Sequence, residues 1–182
     1  MKNNIKFAML GGGSWATAIV KMLTENADIV NWYMRNTDAI EHIRTQKHNP
    51  NYLSSVEFHT EQLNLTDNIN EAVADADVLI FAIPSAFLDN ELKQLTVDIK
   101  DKIIFSAIKG IVPESSLIVG EHFHVNYSIP FENIGVITGP CHAEEVALER
   151  LSYLTIACAD TEKAKLVAKH LSSDYIKTKI SD

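Results

Sequence analysis

The stretch that decides the fold is Ile5-Lys6-Phe7-Ala8-Met9-Leu10-Gly11-Gly12-Gly13-Ser14-Trp15-Ala16. Apart from Lys6, Ile5–Leu10 is a short apolar run that ends in glycine, the pattern of a buried strand. Ser14–Thr24 places Ile19, Val20 and Leu23 on one face and reads as a helix. Between the two, Gly11, Gly13 and Ala16 stand in G-x-G-x-x-A spacing. Each small residue has a physical task there. Gly11 allows a tight turn, Gly13 lets a pyrophosphate approach the backbone, and Ala16 permits close helix–strand packing. The free N–H groups and the positive dipole end of the helix then face the phosphates. A glycine pattern alone is a weak signal. Its position after the first strand and before a helix makes it a dinucleotide fingerprint.

The same alternation continues outward from this turn. Ile29–Met34 reads as a strand and Thr37–Thr45 as a helix. The segment 48–65 is less regular, with Asn-Pro-Asn-Tyr as a turn signal and Val56–Phe58 as a short strand. Asn68 and Glu71 have the spacing of a capping box. Val78–Ile83 is a strand stopped by Pro84. Ser85 opens a helix whose Leu88, Leu92, Leu95 and Ile99 recur at helical spacing. Ile103–Ala107, Ile134–Thr138, Leu154–Ala159 and Tyr175–Lys179 read as strands. Ser115–Phe123, Cys141–Leu148 and Glu162–Leu171 read as helices. Apolar strands alternating with helices predict an α/β fold: one Rossmann-type, doubly wound domain over residues 1–182. Its sheet is expected to be largely parallel, with helices on both faces.

Composition narrows the function. The chain has 182 residues, 46% of them hydrophobic, and a formal net charge of −8, which argues against a nucleic-acid binder. Cys141 and Cys158 lack metal-ligand spacing, so no metal site is expected and both read as reduced thiols of a cytoplasmic protein. Met1–Asn4 is short and polar and gives no sign of a secretory signal. No apolar run approaches the roughly 20 residues that span a bilayer.

The end of the second strand bears on cofactor choice. An Asp or Glu about 20 residues past the glycines often holds the ribose of a dinucleotide without a 2′-phosphate. Here the sequence is Trp32-Tyr33-Met34-Arg35-Asn36. Arg35 is placed to pair with a 2′-phosphate or to stack on adenine. The expectation is that NADPH is accepted at least as well as NADH, with Asp38 able to erode that margin.

The residues taken together resemble NAD(P)-dependent glycerol-3-phosphate dehydrogenase over nearly the whole chain. The resemblance rests on Gly-Gly-Gly-Ser-Trp-Ala-Thr-Ala at 11–18, Arg35, Asn49-Pro50-Asn51-Tyr52-Leu53 and Ala82-Ile83-Pro84-Ser85. It rests also on Ser106-Ala107-Ile108-Lys109-Gly110-Ile111 and Gly139-Pro140-Cys141-His142-Ala143-Glu144-Glu145-Val146. The resemblance implies reversible hydride transfer between NAD(P)H and dihydroxyacetone phosphate, giving sn-glycerol 3-phosphate for glycerophospholipid synthesis. Carried over by position, Gly11, Gly13, Ser14, Trp15, Arg35, Lys109 and Ala143 bind the dinucleotide. Lys109, Gly139 and Cys141 contact the phosphorylated substrate. A cation suits both the substrate phosphate and the negative charge that develops on a ketone oxygen receiving hydride.

Two departures stand against the pattern. Cys141 occupies a position where the family commonly has Ser or Thr, and a thiol is the weaker donor. His142 invites a general-base role but has no partner in sequence. In the family the principal catalytic lysine, followed by asparagine, lies in a second, helical domain that also supplies an acidic residue and an arginine. No Lys-Asn pair follows Lys109. The expectation is therefore a dinucleotide-binding half without its own catalytic lysine, the full-length parent being a possible homodimer. Two other readings stand beside it: the Rossmann half of a hydroxyacid or 6-phosphogluconate type dehydrogenase, and a non-catalytic dinucleotide-binding module.

Overall fold

A computed structural model describes residues 5–27 and 29–182. The reading of Met1–Asn4 lies outside the described residues. The elements follow in the order β1 (Phe7–Leu10), α1 (Ser14–Thr24), β2 (Val30–Tyr33), α2 (Thr37–Gln46), β3 (Leu63–Thr66) and α3 (Ile69–Ala74). Next come β4 (Val78–Phe81), α4 (Ser85–Leu92), β5 (Ile103–Ser106), β6 (Ile111–Val112), β7 (Leu117–Ile118) and α5 (Val119–Tyr127). β8 (Ile134–Thr138), α6 (Ala143–Ala147), β9 (Ser152–Cys158), α7 (Thr161–Leu171) and β10 (Ile176–Ser181) complete the chain.

Eight strands form one sheet in the order β10-β9-β8-β5-β4-β1-β2-β3. Every neighbouring pair is parallel except β8 and β9, where Gly135 lies opposite Cys158 and Thr138 opposite Thr155 in antiparallel register. β9 and β10 thus run against the rest and extend the sheet on one side. β1 lies between β2 and β4, so the chain leaves the centre in one direction and later returns to continue in the other. That reversal opens a crevice beyond the carboxyl ends of the strands, where ligands of such sheets bind.

The period of two along β1 divides the interior into two cores. Phe7 and Met9 join Trp32, Ile80, Val167 and residues of α1 on one face. Ala8 and Leu10 join Leu79, Phe81, Phe123 and Leu88 on the other. All four β1 residues are fully buried, which is why the strand reads as continuous rather than alternating hydrophobicity. Helix ends are fixed locally. Asn36 accepts from the Ala39 N–H at the start of α2, and Asp160 accepts from the Glu162 and Lys163 N–H groups at the start of α7. Each such cap is worth about 1 kcal/mol.

Five details differ from the sequence reading. Val56–Phe58 is not a strand. The third strand is Leu63–Thr66, paired with β2, and its alternating burial gives only a short, weak pattern. α4 ends at Leu92, while Leu95 and Ile99 still pack into the core from an irregular segment. In the segment 115–123, Leu117–Ile118 pairs with Ile111–Val112, and the helix starts only at Val119. Glu71 takes the Thr66 hydroxyl and the Asn68 side-chain amide instead of closing a capping box on the Asn68 backbone. The antiparallel β8–β9 pair was not anticipated, because strand direction depends on how the α6 segment turns the chain.

Candidate functional site

The glycine turn connects β1 to α1 at the centre of the sheet's carboxyl edge. Gly11 has φ +133, and a Cβ added there would stand 2.6 Å from the Ala82 carbonyl oxygen. Only glycine fits that approach of β1's end to the segment after β4. The turn is tied on both sides. The Gly11 N–H donates to the Tyr33 carbonyl at 3.0 Å, and the Trp32 indole donates to the Gly11 carbonyl at 2.7 Å. The buried Asn49 amide donates to the Gly12 carbonyl at 3.2 Å and to the Thr17 hydroxyl at 3.0 Å.

Gly13 is different. It is the N-cap of α1 with ordinary dihedrals, and a Cβ built there meets nothing within 4 Å. No side chain caps the helix. The first-turn N–H groups are therefore left to an outside acceptor, and the space in front of Gly13 leads to them. This is the arrangement a pyrophosphate needs.

That space belongs to a cleft of about 340 Å³ lined by Gly11–Gly13, Arg35, Asn51, Tyr52, Phe87 and Glu91, among others. Arg35 rises from the end of β2, with its guanidinium 5.6 Å from the Phe87 ring centre. Its Nη1 is 3.2 Å from Glu91 Oε1. Arg35 is therefore already paired with Glu91, a partner the sequence reading did not name beside the 2′-phosphate and the adenine. Asp38 is exposed in the first turn of α2 and does not line the cleft.

A second, smaller cavity of about 60 Å³ lies beyond β5 and β8 and gathers Trp15, Ala107, Lys109, Thr138 and Gly139. Gly139, at φ +154, could not carry a side chain, because a Cβ would stand 2.4 Å from the Tyr153 carbonyl oxygen. Lys109 is exposed at its mouth. Cys141 is 8% exposed, and burial, reinforced by Glu145, pushes its thiol up while the nearby Lys109 charge opposes this. Trp15, Lys109 and Gly139 thus share one cavity. Gly11, Gly13 and Arg35 share the other, and Ser14, the first residue of α1, lines neither. Ala143 is buried in the first turn of α6 and lines neither cavity. The exposed His142 caps α6 through its backbone N–H, which donates to Glu145 Oε2 at 3.1 Å.

Phe87 and Glu91 were not singled out from sequence, and Tyr52 only within the Asn49–Leu53 segment, without a role. Phe87 is 50% and Tyr52 44% exposed, and large apolar rings left open beside a glycine turn are a usable signal. Nothing in the sequence marks Glu91. A larger groove of about 640 Å³ runs along β2, β3 and α3, away from the glycine turn. Its Asn31, Asn64 and Asp75 side chains already bond to one another.

The description "NAD-dependent glycerol-3-phosphate dehydrogenase N-terminus" matches residues 6–164 of the chain. A "Glycerol-3-phosphate dehydrogenase [NAD(P)+]" of Limosilactobacillus reuteri is 32% identical over 184 residues, covering 97% of this chain and 54% of its own length. One of Bacillus subtilis is 36% identical over 164 residues, covering 89% of this chain and 47% of its own. The chain spans about half the length of the curated relatives it matches. The crystal structure of glycerol-3-phosphate dehydrogenase from Coxiella burnetii superposes with TM-score 0.85 at 21% identity, covering 98% of this chain and 54% of that one. The chain belongs to the family of NAD-dependent glycerol-3-phosphate dehydrogenase N-terminal domains.

Proposed function

We propose that this chain is the dinucleotide-binding half of an NAD(P)-dependent glycerol-3-phosphate dehydrogenase acting on dihydroxyacetone phosphate and sn-glycerol 3-phosphate. The observation that carries the reading is the open, uncapped N-terminus of α1 behind Gly13, set in a cleft at the sheet's central crevice. The names of the relatives agree with it.

The residues present fit the cofactor. The first-turn N–H groups of α1 take the pyrophosphate, and Gly13 leaves them accessible. Arg35 and Phe87 offer planar surfaces for the adenine end. When bound, the nicotinamide would supply or accept the hydride. Trp15, Lys109 and Gly139 would hold that end in their shared cavity, and Ala143, which lines neither cavity, could reach it only through its backbone N–H at the start of α6. The Lys109 ammonium, with no ion-pair partner among the described residues, attracts the phosphorylated substrate and stabilises negative charge on its carbonyl oxygen. The Cys141 thiol stays protonated at neutral pH, a weak donor beside Lys109.

Among the described residues no helix is long and apolar enough to cross a membrane. The reading includes a cytoplasmic location, no nucleic-acid partner, and a homodimer only in a protein carrying a second half. The test is calorimetric titration of the 182-residue chain with NADH and NADPH, followed by a turnover assay with dihydroxyacetone phosphate. The expected outcome is saturable dinucleotide binding without turnover, and turnover once a relative's second half is joined to it. Absence of binding to the folded chain would remove the reading.

A further inference from the structure

The usual acid at the end of the second strand is missing from this chain, and the structure supplies one from elsewhere. Phe87 and Glu91 stand four residues apart on α4, so both face the same cleft. The Glu91 residue is 1% exposed. The Tyr33 hydroxyl donates to its Oε2 at 2.5 Å. Its Oε1 accepts no hydrogen bond, although Arg35 Nη1 approaches within 3.2 Å. A buried carboxylate oxygen without a donor is costly, and this one lines the dinucleotide cleft. Among the lining residues Arg35 is the single cation and Glu91 the single anion, so the cleft presents no net charge at its adenosine end.

We propose that Glu91 replaces the missing strand-end acid and selects the dinucleotide that lacks a 2′-phosphate. This rests on the dinucleotide-binding reading above. Glu91 holds the Arg35 guanidinium beside the Phe87 ring, where it offers a flat surface to adenine. The ribose hydroxyls are uncharged, so a dinucleotide without a 2′-phosphate leaves the Arg35–Glu91 pair in place. A 2′-phosphate brings the opposite chemistry. It accepts rather than donates, it is repelled by the carboxylate, and it can bind Arg35 only by drawing it off a buried acid. On this proposal the preference expected from Arg35 alone turns toward NADH, because the arginine's charge is already matched by Glu91.

The experiment compares NADH and NADPH affinities of the 182-residue chain by calorimetry, in the unsubstituted chain and in Glu91→Gln. The amide keeps the shape and the Tyr33 contact but drops the charge. The unsubstituted chain is expected to favour NADH by about tenfold or more, the worth of one charge-assisted contact. In Glu91→Gln the preference is lost because NADPH tightens, and added salt weakens that gain. Glu91→Met removes the same charge with apolar volume and serves if the glutamine variant melts early. A preference is a readout that general destabilisation does not produce. Equal or tighter NADPH binding by the unsubstituted chain overturns the proposal, as does an unchanged ratio in both variants. If the unsubstituted chain binds neither dinucleotide, the functional reading falls and this inference with it. If both bind with a ratio insensitive to Glu91, only this inference falls.

Discussion

Gly11 and Gly13 lie two residues apart in one turn, yet a methyl group added to each meets opposite surroundings. At Gly11 the new Cβ would stand 2.6 Å from the Ala82 oxygen and 2.9 Å from its carbonyl carbon, with φ at +133. Holding an L-residue in that conformation costs about 1–3 kcal/mol. Forcing the backbone neighbour aside costs about 1–3 kcal/mol more. Gly11→Ala should therefore lose about 2–6 kcal/mol of stability and lower the melting temperature by roughly 4–24 °C. At Gly13 the dihedrals are ordinary and nothing lies within 4 Å. Gly13→Val should lose only about 1 kcal/mol, the difference between a good and a poor N-cap. It fills the approach to α1, however. Losing two charge-assisted bonds to phosphate, at about 1.5–3 kcal/mol each, raises the NADH Kd by about two to four orders of magnitude. Urea unfolding and calorimetric titration on both variants separate the effects. Normal NADH affinity in Gly13→Val, or wild-type melting in Gly11→Ala, would refute the assignment of one glycine to the fold and the other to the ligand.

Other expectations follow from the same geometry. In a protein joining this chain to a relative's second half, Lys109→Ala should reduce kcat/KM by about two orders of magnitude, near the loss on removing one oxyanion donor, and leave the melting temperature unchanged. Steady-state kinetics of the two proteins decide it. Cys141 and Cys158 are buried, with thiols pushed up by that burial. The folded chain at neutral pH should resist a thiol reagent that modifies both cysteines in urea, and rapid labelling without denaturant would contradict this. Burial and the hydrogen bond to Glu25 push the Tyr175 phenol up to about 12, against about 10 in an unfolded chain. The stability it contributes is complete below about pH 10 and lost as pH rises toward about 12. Tyr175→Phe should flatten that part of the urea-midpoint profile, and parallel profiles would disprove the linkage.

Local chemistry made much of this protein legible in one dimension. The bounds of α1 and β8, the glycine turn and the parallel core all came from residues whose neighbours in sequence set their conformation. A run such as Val78–Phe81 can satisfy its apolar side chains only inside a sheet covered on both faces, whatever else the chain does. Lys109 and Gly139 were legible as a pair because both follow strands, and strand ends converge on one edge. The third strand was not legible. Leu63–Thr66 has too little pattern of its own and is a strand because β2 offers it an edge. The reversal at β9 escaped for a related reason, since hydrophobicity fixes that a strand is buried but not which way it runs.

Cofactor choice divides along the same line. The sequence alone determined that Arg35 follows the second strand and that no acid stands there. Only the tertiary structure decided that Glu91, fifty-six positions later, turns its carboxylate to that arginine across the cleft. Helix spacing puts Phe87 and Glu91 on one face of α4. It cannot say what the face looks upon, because that depends on β4 lying beside β1 and carrying α4 over the crevice. A charge is read locally, whereas its neutralisation depends on distance in space, and that distance is set by the packing of strands far apart in the chain.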